Sequence, residues 1–96
     1  MLIDFHTHFY PDKIAKRTVL QIAEKSQLDF LGDGTLGSLL RFMQTGGVDL
    51  SVNAPVATSV ERVRGINLKM IEYNRINTSV TCFGCLHPRM KNPIDE

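Results

Sequence analysis

His6 and His8 are the two residues whose type and spacing best suit metal chemistry, and they close the run Leu2-Ile3-Asp4-Phe5-His6-Thr7-His8. Side chains alternate across an extended strand, so residues two apart share a face. The spacing therefore predicts both imidazoles on one side of a strand, with Asp4 behind them. A pair of neutral imidazoles on one face is half of a transition-metal site. Zinc takes three or four protein ligands or waters, so further ligands must come from elsewhere. The plainer reading is two polar residues in a turn after the strand. Against it stands the cost of placing a histidine pair in a strand mouth that nothing uses. The chain holds one further histidine, His87. It is a candidate substrate-binding or acid–base group, a role suited to imidazole. Its alternative is a loop histidine bonded to backbone.

Two other patterns imitate functional motifs. Cys82-Phe83-Gly84-Cys85 has the spacing of a redox dithiol. Such a pair needs its first cysteine at a helix N-terminus, and this one falls in an apolar, strand-like stretch. Three residues apart on a strand puts the sulfurs on opposite faces, so the pair reads as small core residues. Gly32-x-Gly34-x-x-Gly37 has dinucleotide-loop spacing but follows a loop instead of a strand, so its context fails.

The elements that would position the histidines are legible in sequence. Leu2 to His6 reads as a buried strand. Pro11-Asp12 opens a helix to about Ser26, with Ile14, Val19, Ile22 and Ala23 facing inward. Gln27 to Gly34 is a loop, punctuated by Gly32-Asp33-Gly34. Thr35 caps a second helix whose Leu36, Leu39, Leu40 and Met43 form one apolar stripe. Gly46-Gly47 ends it with a left-handed cap. Val48 to Asn53 alternates as a second strand, closed by Ala54-Pro55. Thr58 and Glu61 form a capping box for a third helix. Val60, Val63, Ile66, Met70 and Tyr73 recur on it to about Asn77. Ser79 to Leu86 is a third strand with His87-Pro88 past its end, and Lys91 to Glu96 starts another helix. Strands separated by helices pair in parallel through right-handed crossovers. The class is α/β, and both histidine sites lie at C-terminal strand ends, where such folds bind ligands.

Composition narrows the function. The net charge is +1, with 43% hydrophobic and 22% charged residues. Nucleic-acid or membrane-surface binding would favour a strong basic excess, so neither is expected. No apolar run approaches the ~18 residues of a membrane span. No signal peptide is expected at Met1-Leu2-Ile3-Asp4. Two cysteines without an export signal read as reduced thiols of a cytoplasmic protein.

Ile3-Asp4-Phe5-His6-Thr7-His8-Phe9-Tyr10-Pro11 resembles the start of the amidohydrolase-related metal-dependent hydrolases. It is most similar to the branch that includes aminocarboxymuconate-semialdehyde decarboxylase. The resemblance continues through Gly46-Gly47-Val48-Asp49, Pro55-Val56-Ala57-Thr58 and Phe83-Gly84-Cys85-Leu86-His87-Pro88. It implies a (β/α)8 TIM barrel with a divalent metal, commonly zinc, at its C-terminal mouth. His6 and His8 would be two of the ligands. The metal would activate water for hydrolysis, or polarise a small carboxylic substrate for non-oxidative decarboxylation. A complete barrel takes roughly 250 residues, so residues 1–96 would be the N-terminal fragment of one barrel domain, its first three βα units. The family's remaining ligands come from later strands. Alone, such a fragment is expected to be inactive and marginal or oligomeric, or to need a complementing chain. A metal-dependent phosphoesterase or nuclease on a related barrel is the alternative class. Phe9-Tyr10-Pro11 and Leu86-His87-Pro88 favour the first.

Overall fold

The computed structural model describes residues 1–96 and carries three parallel strands and three helices. The order is β1 (Ile3–Thr7), α1 (Asp12–Ser26), α2 (Leu36–Gly46), β2 (Leu50–Asn53), α3 (Val60–Ile76) and β3 (Val80–Cys82). A single 3-10 turn, Pro93–Asp95, stands where a fourth helix start was expected. The sheet order is β1-β2-β3, so β2 is central and both other strands are edges. Asp4 pairs with Ser51 and Thr7 with Asn53, with a register irregularity between. On the other side Ser51 pairs with Val80 and Asn53 with Cys82.

The local signals explain most boundaries. Thr35 caps α2 by accepting the Ser38 N–H at 3.1 Å. Asp33 in turn accepts the Thr35 hydroxyl at 2.6 Å and its N–H at 2.9 Å. Gly47 takes the left-handed conformation, φ 67°, and donates to the Met43 carbonyl. That ending suits glycine, which has no Cβ to clash. The α2 stripe behaves as its spacing requires. Met43 is buried with Phe9, Met70, Val80 and Cys82, and Leu36, Leu39 and Leu40 pack against them.

Further expectations differ from the structure, and β2 itself begins at Leu50 instead of Val48. First, β1 is not buried throughout: Asp4, Phe5 and His6 are exposed and Thr7 is buried. As an edge strand it lacks a neighbour on one side. Second, α1 turns Ala15 fully inward and leaves Ile14 exposed, with Val19, Ile22 and Ala23 half-buried. Third, α3 begins one residue later than the Thr58–Glu61 box, on Ser59, with no side-chain cap on its backbone. Glu61 bends onto its own N–H and the Ser59 hydroxyl instead, which holds its carboxyl below the usual range.

Fourth, β3 stops at Cys82 instead of running to Leu86. Two asparagines of α3 take over the backbone there. Asn74 accepts the Cys82 N–H at 2.7 Å and donates to the Cys82 carbonyl at 2.9 Å. Asn67 does the same for Cys85, at 2.7 and 3.0 Å. Ser79 and Phe83 bond toward β2, so alternation points the Cys82 groups outward, and Asn74 covers that part of the free edge. Cys82 is buried and Cys85 half-buried, both as free thiols. Cys82 belongs to the core, as its small apolar character suggests.

Candidate metal centre

His6 of β1 and His8, just past its end, do come together. Nε2 of His6 and Nε2 of His8 lie 3.1 Å apart. Their rings meet edge to face, with centroids 5.0 Å apart and planes at 70°. Both side chains are exposed at the C-terminal end of the strand. Three residues of β1 span two of β2 between Asp4 and Thr7, so the count slips there. Such irregularities re-aim side chains next to sites. Asp4 accepts the His6 backbone N–H at 3.1 Å, which fixes the chain entering the pair.

The second strand holds His8 in place. Its Nδ1 lies 2.7 Å from the Ala54 carbonyl. A carbonyl only accepts, so Nδ1 carries a proton, and in the neutral ring Nε2 carries the lone pair. Metal-binding histidines are commonly held this way, with one ring nitrogen anchored to an oxygen and the other left basic. The spacing also fits one cation. With zinc–nitrogen bonds of about 2.0–2.1 Å, two nitrogens sit about 2.9 Å apart at a right angle and about 3.4 Å apart at a tetrahedral angle. The observed 3.1 Å falls between these limits. No set of three or more His, Cys, Asp or Glu side chains converges in the chain, so the two imidazoles stand without a third such side chain beside them.

His87 goes elsewhere. It lines a cleft of about 420 Å³ with Thr58, Ser59, Val60, Glu61, Pro88 and Arg89, and neither His6 nor His8 lines it. Its Nδ1 accepts the Arg89 N–H at 3.2 Å, and its carbonyl accepts the Met90 N–H at 3.0 Å. The turn it builds matches the plainer expectation of a backbone-bonded loop histidine.

One residue close to the site was not singled out from sequence. Asn53 is fully buried at the end of β2. Its Oδ1 accepts the Phe9 N–H at 3.0 Å and its Nδ2 donates to Met70 Sδ at 3.2 Å. A polar residue closing an otherwise apolar-alternating strand was the available signal. No helix is long and apolar enough to cross a membrane. No family model matches the chain, nor does any curated protein or solved structure.

Proposed function

We propose that this chain supplies the first ligand pair of a metal-dependent enzyme of amidohydrolase type, with His6 and His8 on a divalent cation, zinc foremost. The observation that carries the reading is the 3.1 Å approach of two Nε2 atoms, one of them anchored through Nδ1. When bound, such a cation activates water or polarises a carboxylic substrate. What the chain's own residues do is orient. Ala54 sets the His8 tautomer, and Asp4 fixes the backbone ahead of His6. The reaction class is hydrolysis or non-oxidative decarboxylation of a small organic acid, in a cytoplasmic protein with reduced thiols. His87 serves substrate binding or proton transfer only if further structure folds its cleft toward the pair.

The architecture proposed with this function is a (β/α)8 barrel whose first three βα units are these 96 residues. A parallel sheet of β1-β2-β3 with its histidines at the C-terminal end supports it. The remaining ligands come from outside these three strands, in one longer chain or in a complementing one. A fourth strand pairing with β3 has to take the Cys82 backbone groups from Asn74.

Cobalt(II) and zinc titration of the chain tests the pair. Wild type is expected to bind one equivalent, and His6→Ala and His8→Ala each to lose at least about tenfold in affinity, the scale seen for losses around metal ligands. Equal binding by wild type and both variants removes the reading. On the complete site, turnover of carboxylic or amide substrates supports it, whereas turnover of phosphoesters alone selects the phosphoesterase class.

A further inference from the structure

Three contacts hold the backbone on both sides of His8, and all three end on consecutive residues of β2 or the residue after it. Before it, the Thr7 hydroxyl donates to the Val52 carbonyl at 2.9 Å, and the Thr7 carbonyl accepts the Ala54 N–H at 3.0 Å. After it, the Phe9 N–H donates to Asn53 Oδ1 at 3.0 Å. Thr7, Phe9 and Asn53 are all buried, Asn53 completely. Phe9 is further fixed edge to face on Tyr73, with ring centroids 5.0 Å apart. The Asn53 amide has no freedom to turn over, because its acceptor meets an N–H and its donor meets a thioether. His8 is thus an exposed side chain on a clamped backbone, with its ring anchored by the Ala54 carbonyl.

His6 is held differently. Its backbone N–H is bound by Asp4, but its ring meets no polar partner except His8. With the His8 lone pair at Nε2, the 3.1 Å contact requires His6 to donate from its own Nε2. The two rings are therefore unequal. One presents a lone pair, and the other presents a proton that must leave Nε2 before that nitrogen can bind a cation. Moving that proton to Nδ1 gives up the ring-to-ring hydrogen bond and disturbs no other contact of the His6 ring.

We propose that Asn53 is a positioning residue for the metal pair. Together with the Ala54 carbonyl it makes His8 the preformed ligand, and it leaves His6 as the ligand that changes tautomer when a cation arrives. This rests on the metal reading above for its purpose, but the asymmetry of the rings belongs to the chain without metal. An Asn at this position does what a shorter or apolar residue cannot: it satisfies the Phe9 N–H from within the core and thereby sets where residue 8 stands.

Imidazole nitrogen–proton correlation NMR on the full chain tests this, at a pH where both rings are neutral. Without metal, His8 is expected to be protonated at Nδ1 and His6 at Nε2. With zinc, both are expected at Nδ1. Asn53→Ala is expected to blur the His8 assignment and weaken zinc binding about 10- to 100-fold. Asn53→Asp keeps the acceptor for Phe9 and is expected to restore the His8 tautomer. His8 protonated at Nε2 in the metal-free wild type overturns the proposal. So does a folded Asn53→Ala with wild-type tautomers and zinc affinity. If the wild type takes up no zinc, the metal reading fails, and the metal-free tautomers with their response to Asn53→Ala still decide the positioning role. If Asn53→Ala loses its circular-dichroism signal, Asn53→Asp decides: a lost His8 assignment overturns the proposal.

Discussion

The chain carries more surface than a monomer of its mass should, and that excess predicts association through an identifiable side chain. Its accessible surface is 7272 Å² for 10.8 kDa. A folded monomer of this mass exposes about 5,500 Å², so the surplus is about 1,700 Å², roughly twice the ~800 Å² that each partner hides in a stable interface of standard size. The radius of gyration is 14.0 Å, against about 12.5 Å for a compact chain of this length. Only 12 of the 96 residues are buried. Phe5 is 71% exposed on edge strand β1 and is the most exposed of the aromatic side chains. With about 200 Å² for a phenylalanine, it shows about 140 Å² to water, worth about 3.5 kcal/mol if fully covered. Polar desolvation and ordering costs bring this to about 1–2 kcal/mol per copy. In a two-fold dimer the loss counts twice, so Phe5→Ser should weaken association roughly thirty- to a thousandfold. Its covered part is small, so monomer stability should fall by only about 1.5 kcal/mol. Sedimentation equilibrium over a dilution series reads both chains. A monodisperse wild-type monomer at every concentration refutes the surface argument. An unchanged association constant in Phe5→Ser refutes the role given to Phe5.

Three further outcomes follow from single groups. Ser51 Oγ is fully buried with no partner, so Ser51→Ala should stabilise by about 0.5–2 kcal/mol, read as a higher midpoint in urea unfolding. A lower midpoint would mean the hydroxyl has found a partner. Gly34 sits at φ +81°, its carbonyl receives the Tyr10 N–H at 2.8 Å, and an added Cβ would run into Val19. Gly34→Ala should cost at least about 1–2 kcal/mol by the same assay, and an unchanged midpoint would refute the strain. Burial raises the ionisation of the Cys82 and Cys85 thiols and of the Tyr10 and Tyr73 phenols. The folded chain keeps these protons after the unfolded chain begins to lose them. Stability should hold below the unfolded values, about pH 8.5 for cysteine and 10 for tyrosine, and fall as pH rises through the raised folded ones. A flat unfolding midpoint from neutral to alkaline pH would contradict this.

The helices and the parallel sheet were legible because their signals are local and strong. Thr35, Gly47 and the Leu36–Met43 stripe specify α2 without help from the rest of the fold. The His6–His8 pair was legible because period-two alternation needs only two peptide units of regular strand. The register slip between Asp4 and Thr7 was not legible, because it is a pairing property and leaves no mark in spacing. The early end of β3 was hidden for a related reason. Phe83 to Leu86 has strand-like residues, but the main-chain partners that would continue the strand are supplied by Asn67 and Asn74, both from α3. Asn53 escaped notice because a buried asparagine declares its use only once Phe9 and Met70 are seen around it.

The same two asparagines bear on how the site would be completed. Exposed edges in parallel sheets invite a further strand, and β3 is the edge a fourth βα unit would extend. At Cys82 that edge already has both of its outward groups satisfied, so an added strand gains no new main-chain bonds there until Asn74 swings away. Asn74 is itself exposed, so its amide can turn to water at small cost. The edge is therefore guarded rather than sealed. On β1, the Asp4 carboxylate covers one backbone group, the His6 N–H, and leaves the exposed Phe5 beside it. The chain thus protects its polar edges more fully than its apolar surface. On the proposed metal reading, a partner that adds further ligands has to offer apolar cover near Phe5 as well as strand pairing, and to do so without loosening the β2 clamp that holds His8.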